Sequence, residues 1–469
     1  MIKEVSKIHF LGICGTAMGA VAAALQERGY DVTGVDEGIY PPMSTFLEEK
    51  GIKIRAGFSA EALPPDVDLV VIGNAMKRGN PEVEEVLNRK MHYVSLPEVL
   101  KEFFMRGKHN LVVTGTHGKT TTTSLLTWIF EYAGKQPGFM IGGIPANLGQ
   151  GARLNDSPYF IIEGDEYDTA FFDKRSKFIH YLPELVIVNN VEFDHADIYS
   201  NLEEIKTSFR RMLNIVPSNG MILLNADDPV AVEVAGHCLA PIVEVGFSEN
   251  AGNQIRDVEY SVEGSGFVLN GEKYWLPMIG EFNIRNAAMA ISAARVYGVE
   301  VEVIQKALKE FRSVKRRQEL RGEAGGVKVI DDFGHHPTAI KGTLQALRHQ
   351  YPGARLWAVF EPRSNTTRRA VFQDRLPDAL GYADGVVLSQ VAKLEQIPVG
   401  ERLNPEKVVK DLEKEGVEAY YLAGVEEILG KLVQVTRAGD VVVVFSNGGF
   451  DGIHGKLLNA LETKDKGAI

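Results

Sequence analysis

The sequence predicts an α/β protein of three domains. Short apolar runs such as Leu111–Val113 and Val441–Phe445 alternate with helix-like patterns, which is typical of parallel strands buried on both faces. Two of the apolar runs, Lys7–Leu11 and Leu111–Val113, are followed by a glycine-rich turn and then by a helix-like pattern. Nucleotide-binding βα units have this arrangement. At 469 residues the chain is too long for a single core, and its length corresponds to about three domains.

The overall composition excludes some classes of protein. A net charge of -11 argues against a nucleic-acid partner, because such a protein needs clustered Lys and Arg side chains. The two cysteines, Cys14 and Cys238, are too few for a disulfide framework and fit a reducing compartment. The chain begins without the apolar stretch of a signal peptide, and no apolar run approaches the roughly 20 residues that span a bilayer. We expect a cytoplasmic protein without a membrane span and, by default, a monomer.

The first domain, residues 1–107, opens with a βαβ unit. A strand at Lys7–Leu11 leads into a glycine-rich turn and a helix of small apolar residues, and the next strand, Val32–Val35, ends at Asp36. The glycines follow G-x-x-G-x-x-x-G and not the dinucleotide pattern G-x-G-x-x-G. The turn therefore suits the diphosphate of a nucleotide sugar, while a nicotinamide cofactor and a turn used only for packing remain alternatives.

The second domain, residues 108–314, contains the most informative motif, TGTHGKTTT at 114–122. The loop aims backbone N–H groups and a helix N-terminus at an anion. Lys119 is placed to reach the β- and γ-phosphates of a nucleotide, and the hydroxyl of Thr120 to bind Mg²⁺. Val113 occupies the position of the first glycine of the usual P-loop, so a solvated helix start is the alternative.

Polar residues follow the next strands of this domain. The strand Tyr159–Ile162 is followed by the acidic run Glu163-Gly164-Asp165-Glu166, and the strand Leu185–Val188 leads towards His195. Carboxyl ends of parallel strands are where open α/β sheets bind ligands, and a carboxylate is a preferred Mg²⁺ ligand. Glu163 is therefore a candidate metal ligand and His195 a second candidate. An Asn270-Gly271 hairpin marks a later β-rich insertion.

The third domain, residues 315–469, again alternates strands and helices. A strand at Val327–Ile330 ends in the segment DDFGHHP, residues 331–337, and Pro337 suits the first position of a helix. Further strands are predicted at Leu356–Phe360, Val386–Leu388 and Val441–Phe445.

These motifs together resemble those of the Mur ligase family. The resemblance rests on TGTHGKTTT (114–122), EGDEYD (163–168), NVEFDH (190–195), NADDP (225–229), GEFNIRNAAMA (280–290) and DDFGHHP (331–337). It implies an N-terminal Rossmann-like domain that binds UDP, a central P-loop ATPase-like domain and a C-terminal Rossmann-like domain that binds the acceptor. It also implies an ATP-dependent amide-bond ligase of bacterial cell-wall synthesis.

Other stretches resemble one branch of the family more closely. They are YPPMST (40–45), GNAMKRGNPEVE (73–84), FFDKRSKFIHY (171–181), EFDHADIY (192–199), FEPRSNT (360–366) and SNGGFDGIHGKLL (446–458). That branch joins the salvaged tripeptide L-Ala-γ-D-Glu-meso-diaminopimelate to UDP-N-acetylmuramate in peptidoglycan recycling. The alternative within the family is de novo addition of L-alanine. Alternatives from other classes are a nicotinamide-dependent oxidoreductase and an inactive nucleotide-sugar sensor.

The resemblance implies roles for individual residues, with ATP and Mg²⁺ as cofactors. Lys119 grips the β- and γ-phosphates, Thr120 and Glu163 hold one Mg²⁺, and His195 holds a second. Arg363 is the expected charged contact to an anionic reactant. The other residues implied in nucleotide binding are Gly115, Thr116, His117, Gly118, Thr121, Asn283, Asn286, Arg317 and Asp332. Those implied in binding the UDP-sugar substrate are Gly12, Cys14, Gly15, Thr16, Met18, Asp36, Asn74, Ala75, Asn80 and His336.

Two departures from the family pattern stand out. The usual G-x-H-N element reads Gly280-Glu281-Phe282-Asn283, so the adenine is expected to pack against Phe282 in place of a histidine. Several relatives carry a carbamoylated lysine after the histidine that matches His195, whereas residues 208–211 here read Ser-Phe-Arg-Arg. A carbamate bridge between the metal ions is therefore not expected.

Overall fold

The computed structural model describes residues 5–236 and 238–466, with side chains as far as residue 464. Within this described part the strands form a five-stranded, a ten-stranded and a six-stranded sheet and a separate two-stranded hairpin. The predicted α/β class is confirmed. No helix in the described ranges is long and apolar enough to cross a membrane.

The five-stranded sheet is parallel and belongs to the N-terminal part of the chain. Its strands are β1 (Lys7–Leu11), β2 (Asp31–Asp36), β3 (Lys53–Ala56), β4 (Leu69–Ile72) and β5 (Tyr93–Ser95), and the helices of this part are α1 (Thr16–Glu27), α2 (Met43–Glu49), α3 (Pro81–Asn88) and α4 (Leu96–Leu100). The strand order is β3-β2-β1-β4-β5, so the chain reverses direction across the sheet beside β1. The glycine-rich turn follows β1 at this switch point, where such sheets bind ligands.

The ten-stranded sheet forms the central part. The strands of this part are β6 (His109–Thr114), β7 (Gly138–Met140), β8 (Ala152–Arg153), β9 (Tyr159–Gly164), β10 (Asp168–Ala170), β11 (Asp173–Ser176), β12 (Leu185–Val188), β13 (Met221–Asn225), β14 (Ile242–Gly246), β15 (Asn253–Tyr260), β16 (Ser265–Leu269) and β17 (Glu272–Leu276). Its helices are α5 (Lys119–Tyr132), α6 (Leu202–Leu213), α7 (Pro229–Val234), α8 (Glu281–Val296) and α9 (Val301–Lys309). Strand β6 lies between β12 and β9, and β10 pairs with β11 as the separate hairpin.

The six-stranded sheet forms the C-terminal part. Its strands are β18 (Glu319–Ala324), β19 (Val327–Asp332), β20 (Leu356–Phe360), β21 (Gly385–Ser389), β22 (Glu418–Leu422) and β23 (Val441–Phe445), and its helices are α10 (Pro337–Gln350), α11 (Arg375–Leu380), α12 (Pro405–Lys414), α13 (Val425–Val435) and α14 (Ile453–Lys466). Strand β23 lies between β19 and β20 with every residue buried, which explains its continuous apolar sequence.

Most predicted strands match the observed ones to within two residues at either end, and the hairpin at Asn270-Gly271 is present. Pro337 is the first residue of α10, as predicted. The antiparallel edge strand β18 was not predicted, because its sequence ELRGEA is mostly polar and its side chains are largely exposed. The domain limits 1–107, 108–314 and 315–469 stay a prediction.

Candidate functional site

A cleft of about 1440 Å³ lies where the three parts of the chain meet. The N-terminal part contributes Cys14 and Thr16 at the turn after β1, and several residues between 38 and 46. The central part contributes the loop before α5 and the ends of β9 and β12, and the C-terminal part contributes residues 332–343. The cleft therefore lies at the carboxyl ends of parallel strands, as the polar residues after each strand predict.

The loop between β6 and α5 requires glycine at two positions. Gly115 has a φ of 130° and Gly118 a φ of 83°, in the left-handed half of backbone space. A side chain at Gly115 would collide with Asn189, and one at Gly118 with the amide oxygen of Asn286. The cleft is lined by Thr116, His117, Gly118, Lys119, Thr120 and Thr121, and Gly115 is not among the lining residues.

Lys119 is held by the acidic run that follows β9. Its Nζ donates hydrogen bonds to the Gly115 carbonyl at 2.6 Å and to Glu166 Oε2 at 2.7 Å. Burial alone would lower the pKa of Lys119, but Glu166 and Asp165 outweigh it and the pKa is raised. The same ion pair lowers the pKa of the buried Glu166 to about 2. Both groups are therefore charged at neutral pH, and the lysine is available to an incoming phosphate.

Thr120 and Glu163 lie side by side at the bottom of the cleft. Thr120 Oγ1 is 3.1 Å from Glu163 Oε2, and Glu163 Oε1 accepts a 2.6 Å hydrogen bond from Gly142 N–H. Burial and the neighbouring Asp165 raise the pKa of Glu163 to about 7. A buried carboxylate that lacks a strong cationic partner, next to a hydroxyl, fits a hard divalent cation such as Mg²⁺.

His195 lies on the other side of Glu166. Its Nε2 is 3.3 Å from Glu166 Oε1, so one carboxylate contacts Lys119 through one oxygen and His195 through the other. Burial lowers the pKa of His195, but the contact with Glu166 reverses the shift and the net pKa is raised. The sequence motif names Glu166 only as the last residue of an acidic run. Its bridging position is the main feature of the site that sequence reasoning missed.

The asparagines of α8 line the cleft next to the loop between β6 and α5. Asn283 is buried, donates to the Ile279 carbonyl at 2.9 Å, and leaves its own amide oxygen without a hydrogen-bond partner. Asn286 faces Gly118 of the loop. The ring of Phe282 packs against Gly280 and lines the cleft beside both asparagines. This side of the cleft thus has a hydrogen-bond acceptor without a partner, the amide oxygen of Asn283, and an aromatic ring, that of Phe282.

The segment that connects the central and C-terminal parts brings Arg317 and Asp332 into the cleft. Arg317 Nη2 is 3.5 Å from Thr120 Oγ1. Asp332 accepts hydrogen bonds from Gly334 N–H at 2.7 Å and Gln318 N–H at 3.0 Å, while burial raises its pKa. Asp331 points elsewhere, to Arg316 and His454 at 3.3 Å each. Of the two adjacent aspartates, Asp332 is therefore the one that faces the cleft.

His336 belongs to a cluster with His117 and Glu192 whose ligand atoms lie within 4.8 Å of one another. The geometry of His336 argues against a metal there. Its Nδ1 accepts the backbone N–H of Thr338 at 3.2 Å, so the ring proton is on Nε2. Burial lowers the pKa of His336 to about 3, which keeps the ring neutral. His336 therefore presents a buried N–H donor to the cleft and not the lone pair that a metal needs.

Several residues of the N-terminal set have local structural contacts. Asp36 accepts hydrogen bonds from Cys14 N–H at 2.9 Å and Gly38 N–H at 3.1 Å, which fix the glycine-rich turn. Asn80 caps helix α3 through Glu82 N–H at 3.0 Å. Cys14 and Thr16 line the cleft. The residues of this set that lie outside the cleft lining are Gly12, Gly15, Met18, Asp36, Asn74, Ala75 and Asn80.

Arg363 also lies outside the cleft lining. Its half-exposed guanidinium is 3.4 Å from Glu361 Oε1 and lies over Gly448, where any side chain would collide with it. The structure thus groups Lys119, Thr120, Glu163, His195, Arg317, Asp332 and His336 around one cleft, and it leaves Arg363 at the end of β20.

Comparison with known families gives three matches along the chain. They are the catalytic domain of the Mur ligase family over residues 7–108, the Mur ligase middle domain over 113–294, and the Mur ligase glutamate ligase domain over 316–448.

Curated proteins and solved structures give the same result. The UDP-N-acetylmuramate–L-alanyl-γ-D-glutamyl-meso-2,6-diaminoheptanedioate ligase of Haemophilus influenzae is 46% identical, over 97% of this chain and 99% of that protein. A UDP-N-acetylmuramate–L-alanine ligase of Aquifex aeolicus is 33% identical over 96% of each. The crystal structure of a murein peptide ligase from Psychrobacter arcticus is 38% identical with a TM-score of 0.70, covering 97% of this chain and 99% of that one.

Proposed function

The chain belongs to the Mur ligase family, and we propose that it joins L-Ala-γ-D-Glu-meso-diaminopimelate to UDP-N-acetylmuramate at the expense of ATP. The observation that carries the substrate assignment is the 46% identity, over nearly the full length of both chains, with the ligase that is named for this tripeptide. The L-alanine ligase of Aquifex aeolicus is 33% identical over a similar length. An oxidoreductase that uses the N-terminal turn does not agree with this family.

The reaction is a phosphoryl transfer followed by an acyl transfer. A carboxylate is a poor acylating agent, so the γ-phosphoryl group of ATP passes to the lactate carboxylate of the muramoyl group. The free amine of the L-alanine residue then attacks the acyl phosphate through a tetrahedral intermediate, the amide bond forms, and phosphate leaves. Positioning and charge neutralisation carry such a reaction.

Residues of the cleft divide this work with Arg363, which lies outside the cleft lining. Lys119, held by Gly115 and Glu166, turns its remaining N–H to the β- and γ-phosphates, and Asn283 with Phe282 holds the adenine. Thr120 and Glu163 would hold one Mg²⁺ and His195 a second, and the bound ions supply charge neutralisation for the phosphoryl group. Arg317 and Asp332 contact the nucleotide, and Arg363 binds an anionic group of the acceptor. The enzyme is proposed to act in the cytoplasm as a monomer.

Acceptor choice is the experiment that tests this function. Phosphate release is measured with ATP, Mg²⁺ and UDP-N-acetylmuramate, and L-alanine is compared with L-Ala-γ-D-Glu-meso-diaminopimelate as the amine. We expect kcat/KM for the tripeptide to exceed that for L-alanine by at least about a hundredfold, because a pocket built for polar groups leaves them unpaired with the shorter amine. Efficient turnover with L-alanine alone would assign the chain to the de novo reaction.

A further inference from the structure

The loop that carries His195, residues 192–197, is held by side chains of the C-terminal part. Thr366 Oγ1 donates a 2.7 Å hydrogen bond to Asp194 Oδ1 and accepts one of 3.2 Å from Ala196 N–H. Asn365 Nδ2 donates to Asp197 Oδ2 at 2.7 Å. Both Thr366 and Asn365 lie in the segment after β20, which belongs to a different sheet from the loop.

His195 has an unusual backbone conformation. Its φ is 53°, in the left-handed region that non-glycine residues seldom adopt. On the N–H side the conformation is held by Asp194, whose Oδ1 accepts the backbone N–H of His195 at 2.7 Å, while the His195 carbonyl accepts the N–H groups of Ile198 and Tyr199 at 2.8 and 2.9 Å. A residue in such a conformation keeps it only while its surroundings hold it, so the contacts of Asp194 help to hold the backbone from which the His195 ring reaches Glu166.

The two hydrogen bonds to Asp194 Oδ1 connect the two parts of the chain. The same oxygen accepts from His195 N–H within the loop and from Thr366 Oγ1 across the interface. The other oxygen, Oδ2, is 3.7 Å from His335 Nε2, which also belongs to the C-terminal part. Asp194 and Thr366 are 6% and 2% exposed, so water cannot readily replace these contacts. The backbone of His195 is therefore supported from the C-terminal side.

We propose that Thr366 is a positioning residue: closure of the C-terminal domain onto residues 192–197 sets His195 as a ligand for the second metal ion. This inference rests on the proposed role of His195 and adds to it the condition that the metal site is complete only when the acceptor domain is closed. Metal binding must in turn favour closure, because coupling between two binding events is reciprocal. Activation of the carboxylate would then be confined to the state in which the acceptor domain covers the reacting groups.

Mn²⁺ binding tests this proposal without relying on turnover. Free Mn²⁺ is measured by electron paramagnetic resonance during titration of the full chain with a non-hydrolysable ATP analogue and UDP-N-acetylmuramate. Thr366→Val preserves the shape of the side chain and removes both hydrogen bonds. We expect it to weaken the weaker of two Mn²⁺ sites about tenfold, since loss of a group that orients a metal ligand commonly costs 10- to 100-fold in affinity. Thr366→Ser should stay within about twofold of the wild type.

Asn365→Ala is the matched control, because it removes a contact between the same two segments that does not reach Asp194. We expect its Mn²⁺ binding to match the wild type. In steady state, Thr366→Val should need more Mg²⁺ for half-maximal rate and should recover kcat at saturating Mg²⁺, a response that general misfolding would not give. If the thermal midpoint of Thr366→Val falls, Thr366→Ala replaces it.

The outcomes separate this proposal from the proposed function. His195→Ala should abolish the weaker Mn²⁺ site. If it does and Thr366→Val binds Mn²⁺ as the wild type does, the positioning role is wrong while the ligand role stands. If His195→Ala keeps both sites, the proposed ligand role itself fails. If Thr366→Val and Asn365→Ala lose Mn²⁺ affinity equally, the contacts of Thr366 and Asn365 only hold the two parts of the chain together. That result would also overturn the proposal.

Discussion

The nucleotide end of the cleft and the neighbourhood of Arg363 are built differently. Glu163 and Glu166 are buried and the Lys119 side chain is only 13% exposed, and their contacts are 2.6–3.3 Å long within one part of the chain. Arg363 is 49% exposed, and its nearest carboxylate, Glu361, is 3.4 Å away. The nucleotide end is thus assembled before any ligand arrives. At the other end, the guanidinium of Arg363 is half-exposed and forms only a long contact with its carboxylate partner.

This difference follows from the cost of burying charge. A buried charge must be paired, as Lys119 and Glu166 are, or its pKa must shift towards the neutral form, as that of Glu163 does, because an isolated charge in a low dielectric is very unfavourable. In the pair of Arg363 and Glu361 the carboxylate is buried, but the guanidinium is half-exposed and therefore partly screened by solvent, so the pair contributes less to stability than a fully buried one. The first region is therefore fixed by folding, and the second is free to exchange partners with a charged ligand.

The largest effect is expected at the buried lysine. Lys119→Met should lower kcat by at least about 10³-fold, because the cation neutralises charge on the transferred phosphoryl group in the proposed reaction. Phosphate release with saturating ATP, UDP-N-acetylmuramate and tripeptide measures it. Lys119→Met also leaves the buried Glu166 with His195 in place of two cationic partners, so a urea titration must accompany the assay. A folded Lys119→Met protein within tenfold of wild-type kcat would contradict the role proposed for Lys119 in phosphoryl transfer.

The sequence predicts the first region better than the second for a physical reason. The order strand, glycine turn, Lys119, Thr120 and helix fixes the nucleotide loop locally, and the observed strand β6 and helix α5 match that reading. Contacts within a few residues are determined by backbone geometry that the sequence pattern specifies. The position of Arg363 depends instead on how the end of β20 packs against Gly448 of a distant loop, and no local pattern contains that information.

The same limit explains what was missed near the proposed metal ligands. Glu166 was read as part of an acidic run, but its two oxygens select Lys119 and His195, which come from different strand ends. The tautomer of His336 is set by the first turn of α10, and the support of His195 by Thr366 crosses between two sheets. Pairings of this kind depend on the three-dimensional meeting of segments far apart in sequence.

The next effect is expected at Glu163. Glu163→Gln should raise the Mg²⁺ concentration for half-maximal rate by about a hundredfold, because it removes a proposed direct ligand. Loss of a group that only orients a metal ligand commonly costs about 10- to 100-fold in affinity, so loss of a ligand should cost at least the upper end of that range. In the wild type the Mg²⁺ affinity should rise with pH through about 7, where the carboxyl loses its proton and can bind the ion. Glu163→Gln should lack this pH dependence. Mg²⁺ titrations of the rate between pH 6 and 8 provide the measurement.

Unfolding without Mg²⁺ gives an independent check on Glu163. Its pKa of about 7 in the folded chain exceeds the ordinary value of 4.5, so folding disfavours the ionised form. The stability of the metal-free wild type should therefore fall as pH rises from about 4.5 to 7. At pH 8, Glu163→Gln should be more stable by up to about 3 kcal/mol. The difference in the free energy of unfolding between the wild type and Glu163→Gln should therefore change between about pH 4.5 and 8. If it stays constant, the pKa of Glu163 is not raised by folding.

The smallest effect, and the most selective one, is expected at Arg363. Arg363→Lys should raise KM for the tripeptide about tenfold and leave KM for ATP and UDP-N-acetylmuramate within about twofold, because lysine keeps the charge but cannot form a bidentate pair with a carboxylate. Initial rates with each substrate varied in turn measure the three constants. Glu361→Gln, which loosens the present partner of Arg363, should change the tripeptide KM in the opposite direction or not at all. An equal rise in all three constants would mean that Arg363 supports the closed cleft as a whole, and the contrast between a preassembled end and an exchangeable end would then be wrong.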